Sequence, residues 1–188
     1  MSERNQAILD AETAGNKPIL PFEESLLLAG LAKLGNRQDQ MGQELAEIMA
    51  QSSETWHDNA AAEIIAAESV GLSDSAKKIT SKIRNSVVFD YPSSDESQAT
   101  LGSIVGLDWG DDDREYVYIT GSMHNITDIP LAEVKNVVDQ KTTLTLDSPM
   151  GRGLFGTREG ETAVWAVEER EIKCSVFLIK QCGNDTKN

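Results

Sequence analysis

The sequence predicts an α+β protein: an N-terminal antiparallel coiled-coil hairpin of two helices, then a small, mostly antiparallel β domain with one short helix. Three observations predict it. Leu27, Leu31, Leu34, Gln38, Met41, Leu45 and Ile48 recur in steps of four and three, the seam of a helix that packs lengthwise on another. Leu72, Ala76, Ile79, Ile83 and Ser86 repeat those steps, and a short polar turn between two such stretches favours an antiparallel pair. From Ser103 onward, apolar residues come in short runs broken by Gly, Asp and Pro, as strands and tight turns require.

Each element follows in order. Residues 1 to 19 are polar and poor in aromatics, and are expected to be disordered. Pro18 and Pro21 punctuate the boundary. The hairpin domain is expected over 20–91, with Gly30, Gly35 and Gly42 weakening its first helix locally. The second helix begins near Asp58 or Asn59. A helix of ~30 residues spans roughly 45 Å. Asn85 to Val88 leave the helix, and 92–98 read as a linker. The β domain covers 99–182, and 183–188 form a polar tail. Ser103 to Trp109 and Glu115 to Thr120 pair through the turn Gly110-Asp111-Asp112-Asp113. Leu131 to Val138 suit either a short helix or an irregular insertion. Thr142 to Leu146 is a strand. Ala163 to Val167 and Ile172 to Ile179 form a last hairpin through Glu168-Glu169-Arg170-Glu171.

A formal net charge of −14 argues against a protein that grips nucleic acid through its own surface. It suits a partner that offers a basic groove or channel. No apolar run is long enough to span a bilayer, and the first residues lack a charged-then-apolar leader, so no membrane role and a cytoplasmic location are expected. The chain is expected to be a monomer. Cys174 sits in a strand as a small core residue, and Cys182 lies near the polar tail. With only His57 and His124 far off in sequence, these cysteines make a poor zinc site, and a disulfide is not expected.

The run Ser148-Pro149-Met150-Gly151-Arg152-Gly153-Leu154-Phe155-Gly156 carries the most information. Pro149 is well placed in a first helical turn, with Asp147 or Ser148 as its cap. Leu154 and Phe155 supply buried contacts. Gly156 and Gly160 allow reversals at positive φ. The run continues as Thr157-Arg158-Glu159-Gly160-Glu161. Together they resemble the signature of the C-terminal domain of Gre-type bacterial transcription elongation factors. The hairpin exit Lys82-Ile83-Arg84-Asn85-Ser86-Val87-Val88-Phe89-Asp90 resembles that family too, and the resemblance covers most of residues 22 to 180.

What the resemblance implies is specific. The C-terminal domain would be FKBP-like. The chain would bind RNA polymerase at its secondary channel, with Ser148, Pro149 and Arg152 among the partner-binding residues. The hairpin tip would reach the polymerase's active centre, and backtracked nascent RNA would be met only indirectly. The tip reads Ser52-Ser53-Glu54-Thr55-Trp56-His57-Asp58-Asn59-Ala60. Asp58 before Asn59-Ala60 matches the family's second tip acid. Thr55 stands where the family has its first, and Glu54 lies one place earlier. Glu54 and Asp58 would be the functional acids, sharing a Mg²⁺ held only in the complex; the chain would carry no cofactor of its own. Two metals there activate water and stabilise the leaving oxygen, and Mg²⁺ takes one or two carboxylates with water completing its octahedron. The polymerase, not this chain, would be the enzyme. Trp56 and His57 would touch the partner.

Plainer readings stand beside these. Ser52, Ser53 and Thr55 can cap a helix, and Glu54 or Asp58 suits its N-terminal dipole. Lys77, Lys78, Lys82 and Arg84 are either a solvated face or a contact with extruded RNA. Glu159, Glu161, Glu168, Glu169 and Glu171 are expected in solvated turns. Asp111 to Asp113 lack calcium-loop spacing. Two other functions remain open: a Gre-like channel inhibitor or modulator without cleavage activity, and an FKBP-like peptidyl-prolyl isomerase using aromatics among Trp109, Tyr116, Tyr118, Phe155, Trp165 and Phe177.

Overall fold

The computed structural model describes residues 1–51, 60–93, 96–111, 113–121 and 142–181. In chain order the elements are α1 (Glu3–Thr13), β1 (Lys17–Ile19), α2 (Pro21–Gln51), α3 (Ala60–Arg84), β2 (Ser86–Val88), β3 (Ser103–Gly110), β4 (Asp113–Thr120), β5 (Thr142–Thr145), α4 (Pro149–Leu154), β6 (Thr162–Val167) and β7 (Arg170–Gln181). Two compact units form: Met1–Glu23 with Ser86–Asn188, and Glu24–Asn85.

The first unit is built on a five-stranded sheet in the order β5-β4-β3-β7-β6. All neighbours are antiparallel except β4 and β5, which run parallel from Val117 opposite Thr142 to Thr120 opposite Thr145. Side chains alternate between faces along a strand, so β3 and β4 each feed two cores. Val105, Leu107, Val117, Ile119, Cys174, Val176 and Trp165 gather on one face with Leu154 of α4. Ile104 and Tyr118 gather on the other with Ile8, Leu20, Leu101 and Leu146. Cys174 is the small core residue its strand position predicts, and burial pushes its thiol pKa up.

The second core corrects the expectation for residues 1–19. They are folded, as α1 and β1. Ser2 caps α1 by accepting from the Asn5 N–H at 3.2 Å, and Gly15 at φ 83 ends it. Ile8 is fully buried, a contribution of about 1.5–3 kcal/mol. β1 pairs in parallel with β2, Lys17 opposite Ser86, so Ser86 belongs to a strand and not to the helical seam. The expected boundaries at 19–20 and 91–92 thus fall inside one compact unit, and the 92–98 segment is anchored where it is described. Pro92 is buried and Gln98 is 7% exposed. Phe22 stacks on Tyr91 with centroids 6.5 Å apart.

Glu23 secures the start of α2. Its fully buried carboxylate accepts the Leu20 N–H at 2.8 Å, and both oxygens accept the Gly121 N–H at 3.1 Å. The carboxylate at the third helical position thereby returns to the residue before the helix, as in a capping box. Glu23→Gln is expected to cost about 1–3 kcal/mol in chemical denaturation, because one oxygen becomes a donor facing donors. A midpoint equal to the parent's would show that the carboxylate is not needed.

In the second unit the predicted seam of α2 is seen in burial. Leu27 and Met41 are buried and Leu31, Leu34, Leu45 and Ile48 half-buried. Gln38 is exposed, and Arg37 stands at the seam in its place. On α3, Leu72, Ala76, Ile79 and Ile83 are half-buried, and Ala62, Ile65 and Ser69 continue the row. A Cβ at Gly30 would lie 3.6 Å from Ile79 Cδ1, while Arg37 Nε donates to Glu68 at 3.2 Å. Partner numbers fall on α3 as they rise on α2, so the two helices are antiparallel.

Candidate functional site

The 148–160 segment explains itself residue by residue. Ser148, extended at φ −70, accepts from the Gly151 N–H at 3.0 Å and donates to the Thr145 carbonyl at 2.7 Å. Ser148, not Asp147, is therefore the cap, and Pro149 occupies the first turn, where its missing N–H costs nothing. α4 packs on β6 and also touches β5, the two opposite edges of the sheet. The fit demands glycine twice. A Cβ at Gly151 would lie 2.1 Å from the Thr145 carbonyl oxygen, and one at Gly153 would lie 2.9 Å from both the Val164 oxygen and Trp165 Cβ. Gly156 and Gly160 turn at φ 83 and 82, as expected. The Gly156 N–H donates to the Ala99 carbonyl at 2.8 Å.

This leaves α4 with two sides. Gly151 and Leu154 are buried, whereas Pro149 and Arg152 are exposed, with Asp147 exposed just before them. Lys17 Nζ pairs with Asp147 Oδ2 at 3.2 Å. Partial burial pushes Asp147 up, but its hydrogen bonds and the Lys17 ammonium outweigh that and hold the carboxylate below its ordinary range. Lys17 and Asp147 are 130 residues apart, so no local sequence signal could have paired them. Glu23 was more legible, as a glutamate two places after Pro21 at a helix start.

The predicted tip residues Glu54, Trp56, His57 and Asp58 lie outside the described residues, as do His124, Cys182, Asp112 and Leu131 to Val138. Of the basic stretch, Lys77 pairs with Asp74 at 3.1 Å. Lys77 and Arg84 line a shallow depression of about 410 Å³ with Ser73, Ala76, Thr80 and Ser81. Two of the acids expected in solvated turns, Glu159 and Glu161, are exposed and also hold the backbone. The Glu159 carboxylate accepts the Ile179 N–H at 2.6 Å, and that of Glu161 accepts the Arg158 N–H at 2.8 Å. Among the described residues no group of three or more His, Cys, Asp or Glu side chains is placed to hold a metal.

The aromatics that an isomerase would need are divided by the sheet. Trp109 and Trp165 meet edge to face at 5.7 Å in the first core. Tyr118, Tyr116 and Phe155 belong to the second, and Phe177 stands edge-on to Tyr116 at 5.5 Å.

No described helix is long and apolar enough to cross a membrane. No protein-family model and no curated protein sequence matches the chain. Solved structures similar to it include the GreA factor homolog 1 (Gfh1) protein of Thermus thermophilus, at 19% identity and TM-score 0.37, covering 87% of this chain and 98% of that one. Thermus aquaticus Gfh1 is similar at 17% identity and TM-score 0.38, covering 88% and 98%. The prokaryotic transcription elongation factor GreA/GreB from Nitrosomonas europaea is similar at 11% identity and TM-score 0.32, covering 56% and 78%.

Proposed function

We propose that this chain is a Gre-type elongation factor that docks on RNA polymerase through the exposed side of α4 and inserts its helical hairpin, as a coiled coil, into the secondary channel. There Glu54 and Asp58 help the polymerase hold a second Mg²⁺ and cleave backtracked transcripts. The observation that supports this best is the 148–160 segment. Ser148, Gly151, Gly153 and Leu154 each have a physical task in seating α4, while Pro149 and Arg152 are left outward for a partner. The protein's net charge of −14 suits a basic channel. The reading places the protein in the cytoplasm as a monomer without its own cofactor.

The test is a transcript-cleavage assay on stalled complexes, run beside a binding titration. The full chain is expected to bind polymerase and to accelerate cleavage, and Arg152→Glu to weaken binding by ~10-fold, the factor that ~1.4 kcal/mol represents. The chain alone with Mg²⁺ is expected to leave free RNA intact, since two carboxylates cannot hold a catalytic metal pair. Binding without acceleration would make the chain a channel-occupying inhibitor, the reading that Thr55 in place of the family's first acid favours. No binding would end both.

A further inference from the structure

We propose that Arg37 is a positioning residue for the hairpin tip. Its fork to Glu68 and Glu44 fixes α2 against α3 where their apolar contact lapses, and so sets where Glu54 and Asp58 are delivered. This rests on the reading that the tip serves transcript cleavage, and it names a residue away from the tip on which that service depends.

Three hydrogen bonds build the contact. Arg37 Nε donates to Glu68 Oε1 at 3.2 Å and Nη2 donates to Glu68 Oε2 at 3.4 Å, a paired bridge from α2 to α3. Nη1 donates to Glu44 Oε1 at 3.1 Å, farther along α2. Glu68 first and Glu44 next hold the guanidinium pKa above its ordinary value. A bidentate pair of this kind fixes geometry in a way that a point charge does not.

The fork crosses where both helices are least held. Arg37 stands between Leu34 and Met41, where the row of α2 has no apolar side chain. On α3, Ser69 interrupts the row between Ile65 and Leu72. Gly35, Gly42 and Gly71 lie in the same stretch. A Cβ on any of them would meet nothing within 4 Å, so packing does not call for them, and each weakens its helix relative to alanine.

The apolar rows do not fix the axial register by themselves, because a row in four-three steps also fits a partner moved one heptad along. The fork does. A shift of α3 by four or seven residues in either direction would put Ile64, Leu72, Ala61 or Ser75 in the place of Glu68, and none of these carries a carboxylate. The side chains of Arg37 and Glu68 are 37% and 45% exposed, so the pair adds little to global stability. Its effect is on position, and a displacement of about 1 Å can slow a reaction by ~100-fold.

Arg37→Met keeps a stem along the seam and removes the fork, and Glu68→Gln weakens it from the other helix. Hydrogen exchange on the full chain reads the coupling. In both variants the amides of Glu63 to Ala67 are expected to exchange ~3-fold faster or more, with those of Leu72 to Ile83 unchanged. Exchange like the parent's throughout overturns the proposal. Cleavage assays on stalled complexes read the positioning. At saturating protein both variants are expected to be ~10-fold slower or more, with the half-saturating concentration and the melting temperature unchanged. A slowing explained by weaker binding or by unfolding overturns the proposal. Arg37→Lys keeps the charge without the fork and is expected to be slow as well. Arg37→Glu combined with Glu68→Arg keeps one guanidinium between two carboxylates and is expected to recover most of the rate; a rate no better than that of Arg37→Met overturns the proposal. A parent that accelerates cleavage while both variants match it leaves the proposed function standing and rejects the role of Arg37. A parent that accelerates nothing rejects the proposed cleavage function, and the positioning role with it, whatever the exchange shows.

Discussion

Gly151→Ala is expected to destabilise the first unit by ~3 kcal/mol or more, at the upper end of what overpacking costs. The added methyl would lie 2.1 Å from the Thr145 carbonyl oxygen and 3.0 Å from Ser148 Oγ. Neither neighbour can yield freely. Thr145 is paired to Thr120 in the sheet, and Ser148 Oγ already bonds Thr145 and Gly151. α4 would have to lift, uncovering Leu154 and the β6 edge. Gly35→Ala is the contrast. That glycine lies within α2 with nothing within 4 Å of a Cβ, so alanine is expected to stabilise by ~0.5–1 kcal/mol. Guanidinium titrations of both variants decide the matter through their midpoints at similar slopes. A Gly151→Ala midpoint at or above the parent's would mean that α4 is not seated this tightly.

Asp58→Ala is expected to slow stimulated transcript cleavage by ~100-fold or more, about 3 kcal/mol of transition-state stabilisation, with polymerase binding nearly unchanged. The reason is that this carboxylate would meet only the metal. Glu54→Ala is expected to do less if its one-place offset makes it a poor ligand, and as much if the turn compensates. A capping role predicts a different pattern: a stability loss of ~1 kcal/mol and intact cleavage once folded. Cleavage rates and melting temperatures from one Asp58→Ala preparation separate the two. A lowered melting temperature with normal cleavage would leave Asp58 as a cap.

Much of this was legible because it is local. The four-three rows of α2 and α3 follow from helical geometry, and burial follows them at Leu27, Met41, Ile79 and Ile83. Gln38 was misplaced because Arg37 can lie along the seam and carry its charge outward to Glu44 and Glu68. Ser148, Pro149, Gly156 and Gly160 declared a cap, a first turn and two reversals, since each of those jobs is chemically narrow. The start and end of α4 were thus visible in outline, whereas the exposure of Arg152 came from the structure.

The N-terminal segment was misread because its signals were weak in bulk and strong only in detail. Ser2 and Gly15 mark both ends of α1, but Ile8 and Leu9 in a mostly polar stretch look like chain without a core. What supplies that core is residues about 90 to 140 positions away. The sequence by itself determined the apolar rows of α2 and α3, the strands of the five-stranded sheet and the first turn of α4, for their causes lie within a few residues of one another. Only the tertiary structure decided that Ile8 has a pocket, that Lys17 meets Asp147, and that Gly151 and Gly153 must lack side chains. Those depend on which surfaces the folded sheet brings to contact distance, and no short-range pattern carries that distance.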